Sequence, residues 1–269
     1  MDMSTLKEFI TPENIEKGVN LITGAGVTKV LKSSKTFNNI WDITIGNRLD
    51  AWNQKSIFKN QQDVEKYKNE CIDKISKIPE EKITDPKLSV IGPALESSKY
   101  YIEEEEIRNL FTELIASSMN SDYSNYVQHS FVEIIKQLSP LDAKIFKSLP
   151  NSSPIVDIIS IEEERKTEFL DLYLGSSVCT WISNLYYSEK IIESNLNSIA
   201  IENLIRLGLV DISDLTFSNE DLYSYYYSAE IFQKLKKLHP NKEFDLNKKS
   251  LSLTNFGIAF KTVCCDSDK

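Results

Sequence analysis

Nine residues near the start of the chain, Val19-Asn20-Leu21-Ile22-Thr23-Gly24-Ala25-Gly26-Val27, have the form of an apolar strand running into a glycine loop. In a dinucleotide-binding fold such glycines let phosphate oxygens reach backbone N–H groups. What should accompany the loop is missing: no parallel βαβ rhythm follows, no catalytic His followed by Gly, and no paired cysteines. The glycines therefore read as a bend in a helix, with Gly24 and Gly26 as a surface of close approach for a partner.

Other catalytic patterns are thinner still. A P-loop and a G-x-S-x-G elbow are both absent. His129 stands just before Ser130, which reads as a helix cap, so it is a surface residue before it is a general base. Cys71, Cys179, Cys264 and Cys265 lack metal-binding spacing, and His129 and His239 lie far apart. All four cysteines are expected to be reduced thiols. Glu103 to Glu106 could ligate a cation, but acids at a helix start are what the helix dipole favours. The expectation is no metal, no cofactor and no enzyme activity.

The elements that would carry any site are mostly helical. Thr11-Pro12-Glu13 reads as a helix start, and residues 40–78 repeat apolar residues three and four apart. Pro79 and Asp85-Pro86 close that region near residue 84. A helix over 87–101 is expected to enter at Gly92-Pro93, and another over 103–119 aligns Ile107, Leu110, Phe111, Leu114 and Ile115. Ser130-Phe131-Val132-Glu133 and Ser139-Pro140-Leu141-Asp142 are two capping-box starts in succession.

After Pro154, residues 155–159 suit a short strand and 167–190 a helix. Residues 195–207 read as a helix closed by Gly208. Leu209-Val210-Asp211-Ile212 and Leu251-Ser252-Leu253-Thr254 are strand candidates before a last helix. Helix, Gly, strand and L-T-x-x-G-x-x-F in that order suggest a winged helix-turn-helix. The expected organisation is mainly α: a helical region over 1–84, a helical core over 85–138, and a winged-helix-like module over 139–269 with a small β-hairpin. An insertion at 213–249 carries an amphipathic helix over 222–238. In it, Tyr225 and Tyr226 are the expected exposed, interface-forming tyrosines.

A winged helix invites a nucleic-acid reading, with Asn197, Ser198, Asn203 and Arg206 on the recognition helix and Lys242, Lys248 and Lys249 at the wing. The exposed candidates on that helix sum with Glu202 to zero formal charge, where DNA readers usually need Arg or Lys. The charge of the whole chain also argues against it. Residues 1–84 carry 13 Lys and Arg against 12 Asp and Glu, whereas the remainder carries 18 against 28, within a net charge of −9 over 269 residues. Protein contact is the favoured use of the module and nucleic acid the alternative.

With 41% hydrophobic and 26% charged residues the composition is that of a globular protein. No secretory signal is read at the start and no run of 18 apolar residues occurs, so a cytoplasmic protein without a transmembrane segment is expected. Membrane activity of residues 12–35 is a further alternative.

The central segment resembles the abortive infection alpha family of bacterial proteins. The resemblance rests on Ile91-Gly92-Pro93-Ala94-Leu95-Glu96, on Glu105-Glu106-Ile107-Arg108 with Phe111, on Leu114-Ile115-Ala116-Ser117-Ser118-Met119, and on His129-Ser130-Phe131-Val132-Glu133-Ile134-Ile135-Lys136-Gln137-Leu138-Ser139-Pro140. It implies a role in defence against phage and brings no catalytic residues. The expected partner is an unidentified protein, phage-encoded or a second copy of this chain.

Overall fold

Apolar residues three and four apart set the helices of the first half. The structure, a computed structural model, describes residues 25–45, 61–151, 156–163, 176–183 and 191–265. The expected helix start at Thr11, the residues around it and Gly24 lie outside these. Two helices, α1 (Ala25–Thr44) and α2 (Gln61–Ser76), stand where residues 40–78 suggested one stretch. Phe37, Trp41 and Ile45 on α1 and its end are buried, as are Val64, Tyr67, Cys71 and Ile75 on α2. The Trp41 ring lies 5.6 Å from Tyr67 and 5.7 Å from Phe37. Gly26 does not break α1 but lies in its first turn.

The chain divides into two compact units, Met1–Glu103 with Phe111–Val132, and Glu104–Leu110 with Glu133–Lys269. In the first, α3 (Leu88–Ser98) buries Val90, Ile91, Ala94 and Leu95. Gly92 and Pro93, where this helix was expected to be entered, lie inside it. Ser89 and Pro93 are both exposed, so the carbonyl that lacks an N–H donor at Pro93 stands on the solvent side, where the loss costs least. In α4 (Glu105–Ser118) the expected apolar stripe is buried. Its first turn holds Glu105 and Glu106, with Glu103 and Glu104 ahead of it.

A short helix, α5 (Ser130–Ile135), leads into the second unit. There α6 (Pro140–Ser148) starts with the capping box read from sequence: the Asp142 N–H donates to Ser139 Oγ at 3.1 Å, and the Ser139 N–H donates to Asp142 Oδ2 at 2.8 Å. Four antiparallel strands follow, β1 (Val156–Glu163), β2 (Ser176–Ile182), β3 (Val210–Ser213) and β4 (Phe244–Leu253), in spatial order β2-β1-β4-β3. The expected hairpin is thus part of a larger sheet. The expected helix over 167–190 is overturned, since β2 occupies its middle. Val178, Thr180, Trp181 and Ile182 are strand formers, and pairing with β1 (Ile161 opposite Cys179) outweighs their helical spacing.

Between β2 and β3 lies α7 (Ile191–Arg206), which buries Ala200, Ile201 and Leu204. It ends at Gly208, whose φ of 70° is the left-handed conformation a helix-terminating glycine supplies. The connection from β3 to β4 holds α8 (Asp221–Ser228) and α9 (Glu230–Leu238). The single amphipathic helix expected over 222–238 is therefore broken, at Ala229, whose ψ of 140° is extended. Both helices cover one sheet face, where Tyr223, Tyr226, Ile231, Phe232 and Leu235 pack with Ile159, Ile161, Phe244 and Leu246.

The last helix, α10 (Asn255–Cys264), is locked onto the end of α7. The Thr254 N–H donates to Leu209 O at 3.1 Å, its hydroxyl donates to Gly208 O at 2.6 Å, and the Gly257 N–H donates to Thr254 Oγ1 at 2.8 Å. A Cβ at Gly257 would sit 1.9 Å from Leu209 O. That is why L-T-x-x-G-x-x-F reads as it does: Thr caps the helix and Gly admits the crossing backbone. Cys264 and Cys265 are buried at the end of α10.

Candidate functional site

The residues proposed to read nucleic acid on α7 are engaged inside the protein. Asn203 Nδ2 donates to Asp142 Oδ2 at 2.7 Å and to Gln137 O at 3.0 Å. Arg206 donates to Asn203 Oδ1 from Nε at 3.0 Å and from Nη2 at 2.7 Å, and from Nη1 to Gln137 Oε1 at 3.0 Å. Asp142, buried beneath them, also holds the capping box of α6. A buried carboxylate needs donors on its oxygens, so Asn203 serves Asp142 first and ties α7 to α6. Ser198 is buried and Asn197 half-buried. The expectation of an exposed Ser198 is thereby corrected, because its helical position faces inward beside Ile201.

The wing lysines are also engaged. Lys248 pairs with Glu220 and lies 5.1 Å above the Tyr223 ring, and Glu220 holds its ammonium pKa above the ordinary value. Lys249 pairs with Asp214. Lys242 is exposed. Of the two interface tyrosines, Tyr225 is exposed, but Tyr226 is only 1% exposed and its hydroxyl donates to Asp157. The break at Ala229 causes this difference: α8 turns Tyr223 and Tyr226, three apart, onto the sheet. Tyr227 is exposed and donates to Asp245 Oδ1 at 2.9 Å.

What α7 offers to solvent is a stripe of Leu196, Ile199, Glu202 and Arg206, spaced three, three and four residues apart. Leu196 is 50% and Ile199 61% exposed. Ala200, Ile201 and Leu204 turn inward as on an ordinary surface helix, but two large apolar residues share the outward face with Glu202 and Arg206. Sequence reasoning sought polar readers here and passed over the aliphatic pair. By spacing, Leu196 falls on the face of Ala200 and Leu204, four residues apart, and the structure corrects this by leaving it half exposed; only Ile199 lies off that face.

Burial pushes the Cys71 thiol up to about 12 and the Tyr67 phenol well above its ordinary value, which makes both inert near neutrality. Glu113, buried, pairs with Lys74. The Lys144 ammonium, 2.9 Å from Glu106, holds that carboxyl below its usual range. His129 is exposed at the start of α5, as its position before a cap implies. Among the described residues no three His, Cys, Asp or Glu side chains gather to hold a metal ion, and no helix is long and apolar enough to cross a membrane.

Residues 59–264 match the sequence profile of a protein family described as abortive infection alpha. No curated protein and no solved structure matches the chain.

Proposed function

The chain belongs to the abortive infection alpha family, and from that membership we propose that it is a non-enzymatic, cytoplasmic defence protein of bacteria that limits phage infection by binding another protein through the exposed face of α7. The observation that carries this reading is the outward pair Leu196 and Ile199 on a helix whose Asn203 is held by Asp142 and Gln137. Exposed aliphatic side chains on a fixed helix suit a protein groove and give nothing to a phosphate backbone.

Support for a winged-helix scaffold beneath this face comes from α7 leading through Gly208 into the β3–β4 hairpin, with β1 added to β4. The scaffold departs from that plan at β2, which stands where the first helix of the pair belongs. The occupant is a different protein rather than a second copy: the net charge of −9 repels a like chain and favours a basic partner. Glu202 beside the aliphatic pair fits such a partner.

Site-specific photocrosslinking in infected cells tests the reading. A benzophenone amino acid at position 199 should give a covalent adduct with one protein that appears on phage challenge, whereas the same group at the exposed position 238 should not. An adduct only with the chain itself, or none at 199 in a protein that still protects, would refute it.

A further inference from the structure

A basic surface lies apart from the α7 stripe. From 234 to 242 the chain carries Lys234, Lys236, Lys237, His239 and Lys242 without an acid, in a protein of net charge −9. Lys234 pairs with Glu230. Lys236 lies 4.7 Å above the Phe232 ring, and neither it nor Lys237 has a carboxylate partner among the described residues. Their place in the last turn of α9 complements the helix dipole, but Lys242 lies beyond that helix. Lys236 and Lys242 border a recess of about 400 Å³ whose lining is completed by Pro240, Glu243, Phe244 and Asp245. The exposed His239 ring lies 6.3 Å from Phe244.

We infer that this corner binds single-stranded nucleic acid, with backbone phosphates on Lys236, Lys237 and Lys242 and one base in the recess. Cations on a rim with an exposed ring beside them, here His239, are the two elements such binding combines, Phe232 and Phe244 being buried. A recess of this volume accepts a group the size of a base, and the Glu243 carboxylate can accept a hydrogen bond from an exocyclic amine. Asp245 Oδ1 is already engaged with the Tyr227 hydroxyl and the Leu246 N–H. A flat anionic membrane would press its phosphates on Glu243 and Asp245 as well and leave the recess unused. The corner does not include the α7 stripe, so this inference stands or falls apart from the protein-contact reading.

Fluorescence anisotropy of a short labelled single-stranded oligonucleotide with the full chain, across a salt series, is the test. Three phosphate contacts give a slope of log K against log salt of about −2. Lys236→Glu, Lys237→Glu and Lys242→Glu together should weaken binding by at least about tenfold at low salt and flatten that slope. The same three changed to Gln should give a smaller loss, and Lys248→Gln with Lys249→Gln none. The circular dichroism of each variant reports that it is folded. Absence of binding by the unchanged chain at low salt, binding indifferent to both triple variants, or binding to vesicles rich in anionic phospholipid but not to the oligonucleotide would each overturn the inference.

Discussion

Adding one methyl group to each of three glycines should move stability in three different ways. At Gly257 the new Cβ would lie 1.9 Å from Leu209 O, a backbone atom that cannot swing aside. Restoring an ordinary contact of about 3.4 Å requires α10 to withdraw by about 1.5 Å. That stretches the Thr254 bonds to Leu209 O and Gly208 O, now 3.1 and 2.6 Å, past useful length. Two hydrogen bonds at about 1 kcal/mol each and about 2 kcal/mol of overpacking are offset by about 1 kcal/mol of helix propensity. The net loss is about 3 kcal/mol, or about 6–12 °C in Tm.

Gly92 lies inside α3, where an added methyl would meet nothing within 4 Å. Gly92→Ala should therefore have the opposite sign, a gain of about 0.5–1 kcal/mol. Gly208→Ala has room but keeps a φ of 70°, and should cost about 1–2 kcal/mol. Thermal unfolding followed by circular dichroism ranks the three. A Gly257→Ala protein that melts with the unchanged chain would refute the close crossing of α10 over Leu209 from which the whole ranking is built.

Three further outcomes follow from buried polar groups. Asn203→Ala leaves Asp142 Oδ2 and Gln137 O each short of a donor and should cost about 2–3 kcal/mol in urea unfolding, with oligonucleotide binding unchanged. Lys261, buried in α10, donates to the Phe146, Lys147 and Leu149 carbonyls at the end of α6. Lys261→Met should destabilise by about 2–4 kcal/mol, and a loss under about 0.5 kcal/mol would show that those carbonyls do not depend on it. Cys71 stays protonated in the native state to about pH 12 against an ordinary 9.0. Its contribution is therefore complete below about pH 9 and falls by about 1.4 kcal/mol per pH unit above it as the unfolded thiol ionises. Cys71→Ala should flatten the alkaline limb of a stability profile, and an unchanged slope would contradict the burial of the thiol.

Much of this architecture is legible in the residues, and the failures have physical causes. Ser139 and Asp142 mark the start of α6 because a capping box is a local arrangement. Gly208 and Thr254-Asn255-Phe256-Gly257 mark the α7–β3–α10 junction because each residue answers one backbone need. Residues 176–182 misled because Val178, Trp181 and Ile182 fit a helical stripe as well as a strand, and pairing with the distant β1 decides between them. Ala229 gave no sign that it divides α8 from α9, and that division decides which tyrosine is buried. The roles of Asn203, Lys248 and Lys249 were hidden for a related reason: their partners Asp142, Glu220 and Asp214 lie 28 to 61 residues away in the chain. Ile199 was visible as an aliphatic residue off the buried face of α7, whereas Leu196, four residues before Ala200, has the spacing of that face and its exposure was not legible.

The defence role and the α7 face meet in one measurement, the plating efficiency of phage on cells expressing the unchanged chain or the Leu196→Glu, Ile199→Glu variant. Both substitutions are at exposed helix positions and should leave the melting temperature nearly unaltered. If α7 carries the partner contact, the unchanged chain depresses plating and the folded double variant does not. Full protection by the double variant, or none by the unchanged chain, would contradict that role.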